Sequence, residues 1–210
     1  MKRILYVIDS LGVGGAERLL QQVIKELSPF YEQHVIVLNK PHTLLSELTG
    51  VTKVTILDFA YYKNLFKIKR FIRKYIEENE ISIVHSHLFW SNIITRLAVK
   101  KDIKVFNTIH AISSDATYKH NRLFLYVEKF TYKKNHHIIG VSKEVLLDFD
   151  KWVGLKGLSS VLYNPIEDEF FLSFSKKNLS GSELRLVAVG SLRTQKNYPY
   201  LIEAFKKIPR

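Results

Sequence analysis

Short runs of apolar residues alternate along the chain with segments in which apolar positions recur every three or four residues. Continuous apolar runs are typical of strands that are covered by helices on both faces. The runs that predict strands are RILYVID (3–9), HVIVLN (34–39), KVTILDF (53–59), ISIVHSH (81–87), KVFNTIH (104–110) and HHIIGVS (136–142), with SSVLYNPI (159–166) as one further short strand. Strands that alternate with helices indicate an α/β fold built on a doubly wound parallel sheet.

The segments between these runs have the spacing of amphipathic helices. The first, AERLLQQVIKELS at residues 16–28, places its leucines, valine and isoleucine on one face. Similar patterns lie near residues 63–79, 89–100, 121–134 and 143–150.

A polar segment rich in serine, lysine and glycine, SFSKKNLSGSE, interrupts this alternation near the end of the chain and is typical of a linker. A strand-like run, LRLVAVGS (184–191), a glycine turn and a helical pattern follow it. The sequence therefore predicts one domain at residues 1–172, a linker at 173–183 and the first strand–loop–helix of a second domain at 184–210.

Ligands of doubly wound sheets bind at the carboxyl ends of the strands, where the strand order reverses. At the first such end, DSLGVGGAE holds Gly12, Gly14 and Gly15 between a strand and a helix. Glycines there let backbone N–H groups at the helix N-terminus approach an anion or a polar sugar. The alternative is a tight turn that merely needs glycine. The spacing differs from the G-x-G-x-x-G of dinucleotide sites, and no acidic residue ends the second strand, so a nicotinamide enzyme is disfavoured.

Histidines follow two of the other predicted strands. His110 ends the fifth strand, where an imidazole can bond a hydroxyl, donate to a phosphate or exchange protons; the alternative is a histidine satisfied by nearby backbone. In IVHSH we expect His85 and His87 to point to opposite faces of the strand, with His87 lining the cleft. No third ligand accompanies them, and we predict no metal site.

The second glycine turn, GSLRTQKN, places Arg193 and Lys196 at the start of the last helical pattern. Two cations beside free helix-terminal amides suit an anion such as a pyrophosphate. The turn does not have the spacing of a P-loop.

Charge adds a third kind of candidate surface. The 210-residue chain carries a formal net charge of +12, which attracts phosphorylated ligands, anionic membranes or nucleic acid, and it contains no cysteine. The segment KNLFKIKRFIRKYI contains no acid, and its cations can rest on anionic lipid headgroups. The alternative is an ordinary surface helix with a solvated basic face. The cations proposed to face a membrane are Lys67, Arg70, Arg73 and Lys74. No nucleic-acid-binding motif is present, and we expect no nucleic-acid partner.

In order along the chain, GGAERLL, IVHSH, TIHA, IIGVSKEV, VLYNPIEDEFF and LVAVGSLRTQKNYPYLIEAF resemble the retaining GT-B glycosyltransferases of family 4. Each motif is loose by itself, whereas their order and spacing together are specific and cover nearly the whole chain. The resemblance implies two Rossmann-like domains that face one another across a cleft. The first domain receives the acceptor, and the second holds the nucleotide-sugar.

The resemblance also implies roles for individual residues. Gly14 and Gly15 would offer amides to the donor, and His110 would contact the transferred sugar and support the transition state. Arg193 and Lys196 would neutralise the pyrophosphate of the leaving group, although the family often has an arginine directly after the glycine where this chain has Ser191. Three further residues are candidates for contact with the donor or substrate: Glu17, His87 and Ser142.

From these observations we expect part of a glycosyltransferase at the inner face of the plasma membrane. It would transfer a sugar from a UDP- or GDP-sugar to a lipid-linked or polysaccharide acceptor of capsule, exopolysaccharide or lipopolysaccharide, with no cofactor. We expect the natural protein to continue, and this stretch to bind nucleotide-sugar weakly without the rest. The alternative is a non-catalytic Rossmann-like module that binds anionic glycans or membranes.

Overall fold

The computed structural model describes residues 1–58, 64–166, 186–190, 192 and 196–208. The chain divides into two compact units, Met1–Ile166 and Glu167–Arg210. The predicted linker at 173–183 and the candidate Arg193 lie outside the described residues.

The first unit is built on a sheet of seven parallel strands in the order β3-β2-β1-β4-β5-β6-β7. The strands are β1 (Lys2–Ile8), β2 (Tyr31–Val37), β3 (Lys53–Ile56), β4 (Ile83–His87), β5 (Lys104–Ile109), β6 (His136–Gly140) and β7 (Ser159–Val161). The order reverses between β1 and β4, so the predicted doubly wound parallel sheet is confirmed.

Helices cover both faces of this sheet. They are α1 (Gly15–Leu27), α2 (Leu65–Glu78), α3 (Phe89–Ala98), α4 (Arg122–Thr131) and α5 (Lys143–Val153), with a 3-10 turn at Leu45–Glu47 and a π-helical turn at Ser114–Tyr118. On one face, α1 packs over alternate residues of β1 and β2. On the other face, α2 and α3 pack over the remaining residues of the same strands, and α5 packs over β5 and β6.

The apolar spacing of the helices explains this packing. Leu20 and Ile24 of α1 are fully buried, and so are Ile68 and Ile72 of α2. Burial of each such side chain contributes about 1.5–3 kcal/mol. The stripe on α2 therefore belongs to the core, which leaves the basic face of that helix on the outside.

The four cations predicted to face a membrane are all exposed on α2. Arg73 donates through Nε to the carbonyl of Ala98 at 3.1 Å, and Lys74 pairs with Glu78 at 3.4 Å. None of the helices in the described residues is long and apolar enough to cross a bilayer.

The second unit contains α6 (Tyr198–Lys206), where the last helical pattern was predicted. The strand predicted at 184–191 does not form over residues 186–190, so that prediction is wrong there. Val187 and Val189 are 87% and 92% exposed. A strand needs a neighbour to satisfy its N–H and C=O groups, and the described residues of this unit provide none.

Candidate functional site

Polar side chains gather at the carboxyl ends of β1, β4, β5 and β6, at and beside the point where the strand order reverses. Asp9 follows β1, His87 ends β4, His110 follows β5, and Ser142 follows β6. Adjacent parallel strands bring their carboxyl ends to one edge of a sheet, so these residues occupy one row.

His87 and His110 form a direct imidazole pair, with His87 Nδ1 3.0 Å from His110 Nε2. The two outer nitrogens, His87 Nε2 and His110 Nδ1, are buried and have no hydrogen-bond partner among the described residues. Because a neutral imidazole has one donor and one acceptor, one ring of the pair donates to the other. Of the two outer nitrogens, one is therefore a donor and the other an acceptor, and both are available to a third group. If both rings change tautomer, the donor and the acceptor exchange positions.

Burial keeps these rings neutral. It lowers the pKa of His110 to about 4, and it lowers the pKa of His87 well below the ordinary value, with repulsion from His85 and His110 adding to the effect. Neutral imidazoles at pH 7 can exchange hydrogen bonds with hydroxyl groups, whereas they add no positive charge to the site.

The expectation that His85 and His87 point to opposite faces of the strand was wrong. Their ring centroids lie 4.3 Å apart, because residues i and i+2 of a strand share a face. His85 Nε2 contacts Thr108 Oγ1 at 2.7 Å, which gives His85 a structural partner within the sheet. Among the described residues, no cluster of three or more His, Asp or Glu side chains could hold a metal ion.

Asp9 holds the loop after β1 against helix α3. Its carboxylate accepts hydrogen bonds from the backbone N–H and the hydroxyl of Ser91, at 2.7 and 2.5 Å, and from the N–H of Trp90 at 3.4 Å. Leu88, the N-cap residue of α3, makes no side-chain capping bond, so Asp9 caps the helix from a different strand. Burial nevertheless raises the pKa of Asp9 to about 6, against the opposing effect of these hydrogen bonds.

Backbone strain accompanies this contact. Leu88 has φ 75° and ψ 166°, a conformation that favours glycine and costs about 1–3 kcal/mol in other residues. Such strain persists only where surrounding contacts over-determine it, and it is concentrated at functional sites.

The glycines of the first loop are not required by the turn. The described glycines with positive φ are Gly50 and Gly154, whereas Gly14 at the N-cap of α1 has an extended φ of −138°. A Cβ on Gly15 would meet nothing within 4 Å, and a Cβ on Gly14 would meet only the end of the flexible Glu17 side chain. Among the described residues no side chain caps α1, so its first-turn N–H groups have no capping partner there.

The remaining candidates differ in their surroundings. Glu17 lies in the first turn of α1, beside Gly14. Ser142 is the N-cap of α5, and its hydroxyl accepts from the N–H of Val145 at 3.3 Å, which gives it a structural role. Lys196 belongs to the second unit.

A cavity of about 160 Å³ opens beside His110. Its wall includes Leu88, Phe89, Ser113 and Glu128, which come from the segments after β4 and β5 and from α4. A larger cleft of about 420 Å³ lies at the opposite edge of the sheet, beside Ser82 and Lys100. We assign the site to the smaller cavity because parallel sheets bind ligands at the carboxyl ends of their strands.

A buried polar network lies beside this cavity and shares Glu128 with its wall. Arg96 of α3 pairs with Glu128 of α4, and the two side chains are 0% and 3% exposed. Arg96 Nε also donates to Asn107 Oδ1 at 2.8 Å, and Asn107 Nδ2 donates to Ser86 Oγ at 2.6 Å. The network ties β4, β5, α3 and α4 together.

Sequence reasoning missed this network and the pairing of the two histidines. One signal was present: Arg96 interrupts the apolar stretch NIITRLA, and Glu128 is the single acid in a basic, aromatic-rich segment. Lone charges of opposite sign in such surroundings indicate a buried pair.

The sequence pattern of Glycosyltransferase Family 4 matches residues 13–170. Among solved structures, HepE from Anabaena in complex with UDP is similar, with a TM-score of 0.63 and 18% identity over 81% of this chain and 46% of that one. Sucrose-phosphate synthase from Thermosynechococcus elongatus gives a TM-score of 0.60 and 13% identity, over 78% of this chain and 48% of that one. No curated protein sequence matched the chain.

The lipopolysaccharide outer core galactosyltransferase WaaB is also similar, with a TM-score of 0.58 and 15% identity over 78% of this chain and 46% of that one. At these identities the likeness shows the fold, which is that of one Rossmann-like domain of GT-B glycosyltransferases. The chain spans about half the length of these solved relatives. Because the family pattern matches well over half of its residues, the chain belongs to Glycosyltransferase Family 4.

Proposed function

We propose that this chain forms the acceptor-side part of a retaining glycosyltransferase, of the hexosyl-transferring or a related type. The protein would transfer a sugar from a nucleotide-sugar to a lipid-linked or polysaccharide acceptor of a cell-surface glycan. Its reaction centre would lie at the carboxyl edge of the sheet, where the loop after β1 meets the histidine pair.

The observation that carries this proposal is the glycine loop. Neither Gly14 nor Gly15 has a backbone conformation that demands glycine, and neither is packed against a neighbour that excludes a side chain. The fold therefore leaves open space over the first-turn amides of α1, and this space suits a ligand that approaches the backbone closely. Helix N-terminal amides favour phosphate oxygens and sugar hydroxyls.

His110 supports the same placement from the neighbouring strand. Its imidazole is neutral, lines the cavity and shares a hydrogen bond with His87. A neutral ring in this position can bond a hydroxyl of the transferred sugar as charge develops on the sugar in the transition state. His87 would fix the orientation of that ring.

The carboxylates nearby support a retaining reaction without a protein nucleophile. Asp9 is occupied with the N-terminus of α3, so it is poorly placed to attack a sugar. Glu17 lies beside Gly14, where it can accept a hydrogen bond from a sugar hydroxyl. We propose that the leaving group departs on the face of the sugar from which the acceptor enters.

The donor we propose is a UDP- or GDP-sugar, used as substrate without a resident cofactor. HepE was solved with UDP and with UDP and glucose, and the family match makes the same class of ligand the first to test. Arg193 and Lys196 would neutralise its pyrophosphate. Lys67, Arg70, Arg73 and Lys74 on α2 would attract the protein to an anionic membrane at the inner face of a bacterial plasma membrane.

The test is calorimetry of the 210-residue chain with a panel of UDP- and GDP-sugars, comparing wild type with Gly15→Val. We expect weak binding by wild type and binding at least about tenfold weaker by the variant, since its side chain fills the space above the amides. Gly15→Ala should give a smaller loss. The free energy of unfolding serves as the control and should not fall, because a Cβ here meets no neighbour and a helix is destabilised by glycine. Absence of binding to every member of the panel, or equal affinities for the two proteins, would overturn the proposal.

A further inference from the structure

Helix α4 buries a charged side chain and exposes large apolar ones, which is the opposite of an ordinary surface helix. Its acid, Glu128, is buried, while three large apolar side chains face outward. Leu123, Tyr126 and Phe130 are 62%, 63% and 82% exposed. Positions i, i+3 and i+7 lie on one side of a helix, so these side chains form a continuous apolar ridge, here called the outer face of α4.

The buried ion pair explains this orientation. Arg96 projects from α3 toward α4, and Glu128 must turn inward to meet it. Leu125 joins the core on the same inward side, next to Tyr132 and Phe149. A rotation of α4 that buried Tyr126 and Phe130 would take Glu128 away from its partner, and an uncompensated buried guanidinium opposes that rotation.

Exposed cations accompany the outer face, in the helix and directly before and after it. Between residues 119 and 134 the chain carries five lysine or arginine residues, and Glu128 is the only acid. The exposed cations are Lys119, Arg122, Lys129, Lys133 and Lys134. Lys119 is also paired with Asp115.

The outer face begins at the edge of the sheet that carries the candidate site. The π-helical turn at Ser114–Tyr118 follows β5 and leads into α4, and Glu128 lines the cavity beside His110. Phe124, in the first turn of α4, packs against Phe89 and Trp90, with ring centroids 5.3 and 5.6 Å away. Helix α4 therefore carries the outer face on one side and, on its buried side, a residue of the cavity wall.

We propose that the outer face of α4 is a docking surface for an anionic lipid bilayer, with Leu123, Tyr126 and Phe130 entering the interfacial region and the bordering cations contacting headgroups. Apolar and aromatic side chains flanked by Lys and Arg are the composition of helices that lie in the membrane interface. The charge favours lipid phosphate as the occupant, since an apolar protein partner would gain nothing from the cations. This inference deepens the proposed function by placing a membrane-borne acceptor beside His110.

Helix α2 differs from α4 in how much apolar surface it exposes. Both helices carry exposed cations, but the apolar stripe of α2 is buried in the core and Phe66 alone among its large apolar side chains is strongly exposed. Cations alone give salt-sensitive attraction to a surface, whereas insertion needs apolar area as well. The docking helix is therefore α4, and α2 adds long-range attraction.

The test is sedimentation of the 210-residue chain with vesicles of phosphatidylglycerol and phosphatidylcholine, and with vesicles of phosphatidylcholine alone. The variant is Phe130→Ser, and the matched control is Phe66→Ser, since the two phenylalanines are 82% and 83% exposed, each on a helix that carries exposed cations. We expect Phe130→Ser to lower the partition coefficient on anionic vesicles about tenfold and Phe66→Ser to change it less than twofold. Lys129→Glu together with Lys133→Glu should lower it further, by about fivefold per cation removed.

Equal loss in the two phenylalanine variants would overturn the assignment to α4, and so would equal binding of wild type to neutral and anionic vesicles. Light scattering without lipid tests whether a second copy of the chain occupies the outer face instead. If Phe130→Ser dissociates an oligomer and leaves vesicle binding intact, the outer face is a contact between copies of the chain. Nucleotide-sugar binding is measured on the same samples. If wild type binds a nucleotide-sugar but not anionic vesicles, this inference fails and the proposed function stands. If wild type binds anionic vesicles but no nucleotide-sugar, the proposed function fails and the docking surface stands.

Discussion

Replacement of Glu128 by glutamine tests the internal architecture that orients α4. The substitution keeps the size of the side chain and removes its charge. Arg96 then remains buried at 0% exposure without a counter-charge, and its Nη2 already has no hydrogen-bond partner among the described residues. Removal of one partner of a buried ion pair costs about 3–5 kcal/mol. That is a large fraction of the ~5–15 kcal/mol that stabilises a typical domain.

Tryptophan fluorescence in urea measures this loss selectively. The two tryptophans of the chain, Trp90 and Trp152, both belong to the first unit, so the signal reports on the unit that contains the pair. With a denaturant dependence of ~2 kcal/mol per molar urea, the midpoint should fall by roughly 1.5–2.5 M.

The matched control is Glu77→Gln, which removes the charge of an exposed pair. Glu77 and Lys100 lie 2.6 Å apart, but their side chains are 53% and 60% exposed, and exposed pairs contribute about 0–1 kcal/mol. The double substitution of Arg96 and Glu128 by methionine should recover most of the stability, because neither charge is then left buried. If Glu128→Gln costs no more than Glu77→Gln, the pair does not hold α4 in place.

Two further predictions concern stability. Burial lowers the pKa of His85 to about 3 and the pKa values of His110 and His136 to about 4, so their stabilising contribution is complete above the ordinary pKa of 6.5 and is lost as the pH falls toward 4. Asp9, with its raised pKa, acts in the opposite direction, but it is one group against three histidines. The urea midpoint should therefore be lower at pH 5 than at pH 7.5. Equal midpoints at the two pH values would contradict this prediction. Gly157→Ala should cost about 1–3 kcal/mol, since its Cβ would clash with the carbonyl oxygen of Lys134. A thermal melt unchanged from wild type would show that this contact is absent.

Much of the fold follows from the apolar pattern. A strand buried on both faces needs a continuous apolar run, and the run from Ile4 to Ile8 forms β1 as predicted. A helix packed on that sheet needs apolar residues on one side, and Leu20 and Ile24 are buried in α1 as predicted. The strand predicted at 184–191 did not form over 186–190, because a strand depends on a partner and its own sequence does not supply one.

The site was less accessible to sequence reasoning. The positions of Gly14 and His110 at strand ends follow from the alternation of elements, whereas the contact between His87 and His110 depends on the register of β4 and β5. The direction in which α4 turns could not be read from its own residues. Its aromatic positions resemble a core face, and only the partner Arg96 on another helix decides that Glu128 is the buried side.

The central claim is that the glycine loop and the histidine pair meet a single nucleotide-sugar at the carboxyl edge of the sheet. Backbone NMR of the 15N-labelled chain during titration with UDP-glucose and a GDP-sugar tests it most directly. For the donor that binds, the amides of Gly14, Gly15 and His110 should shift together along one binding curve, while that of Lys100 at the opposite edge stays unchanged. Shifts confined to the cleft around Lys100, or no shift with either donor, would contradict the account.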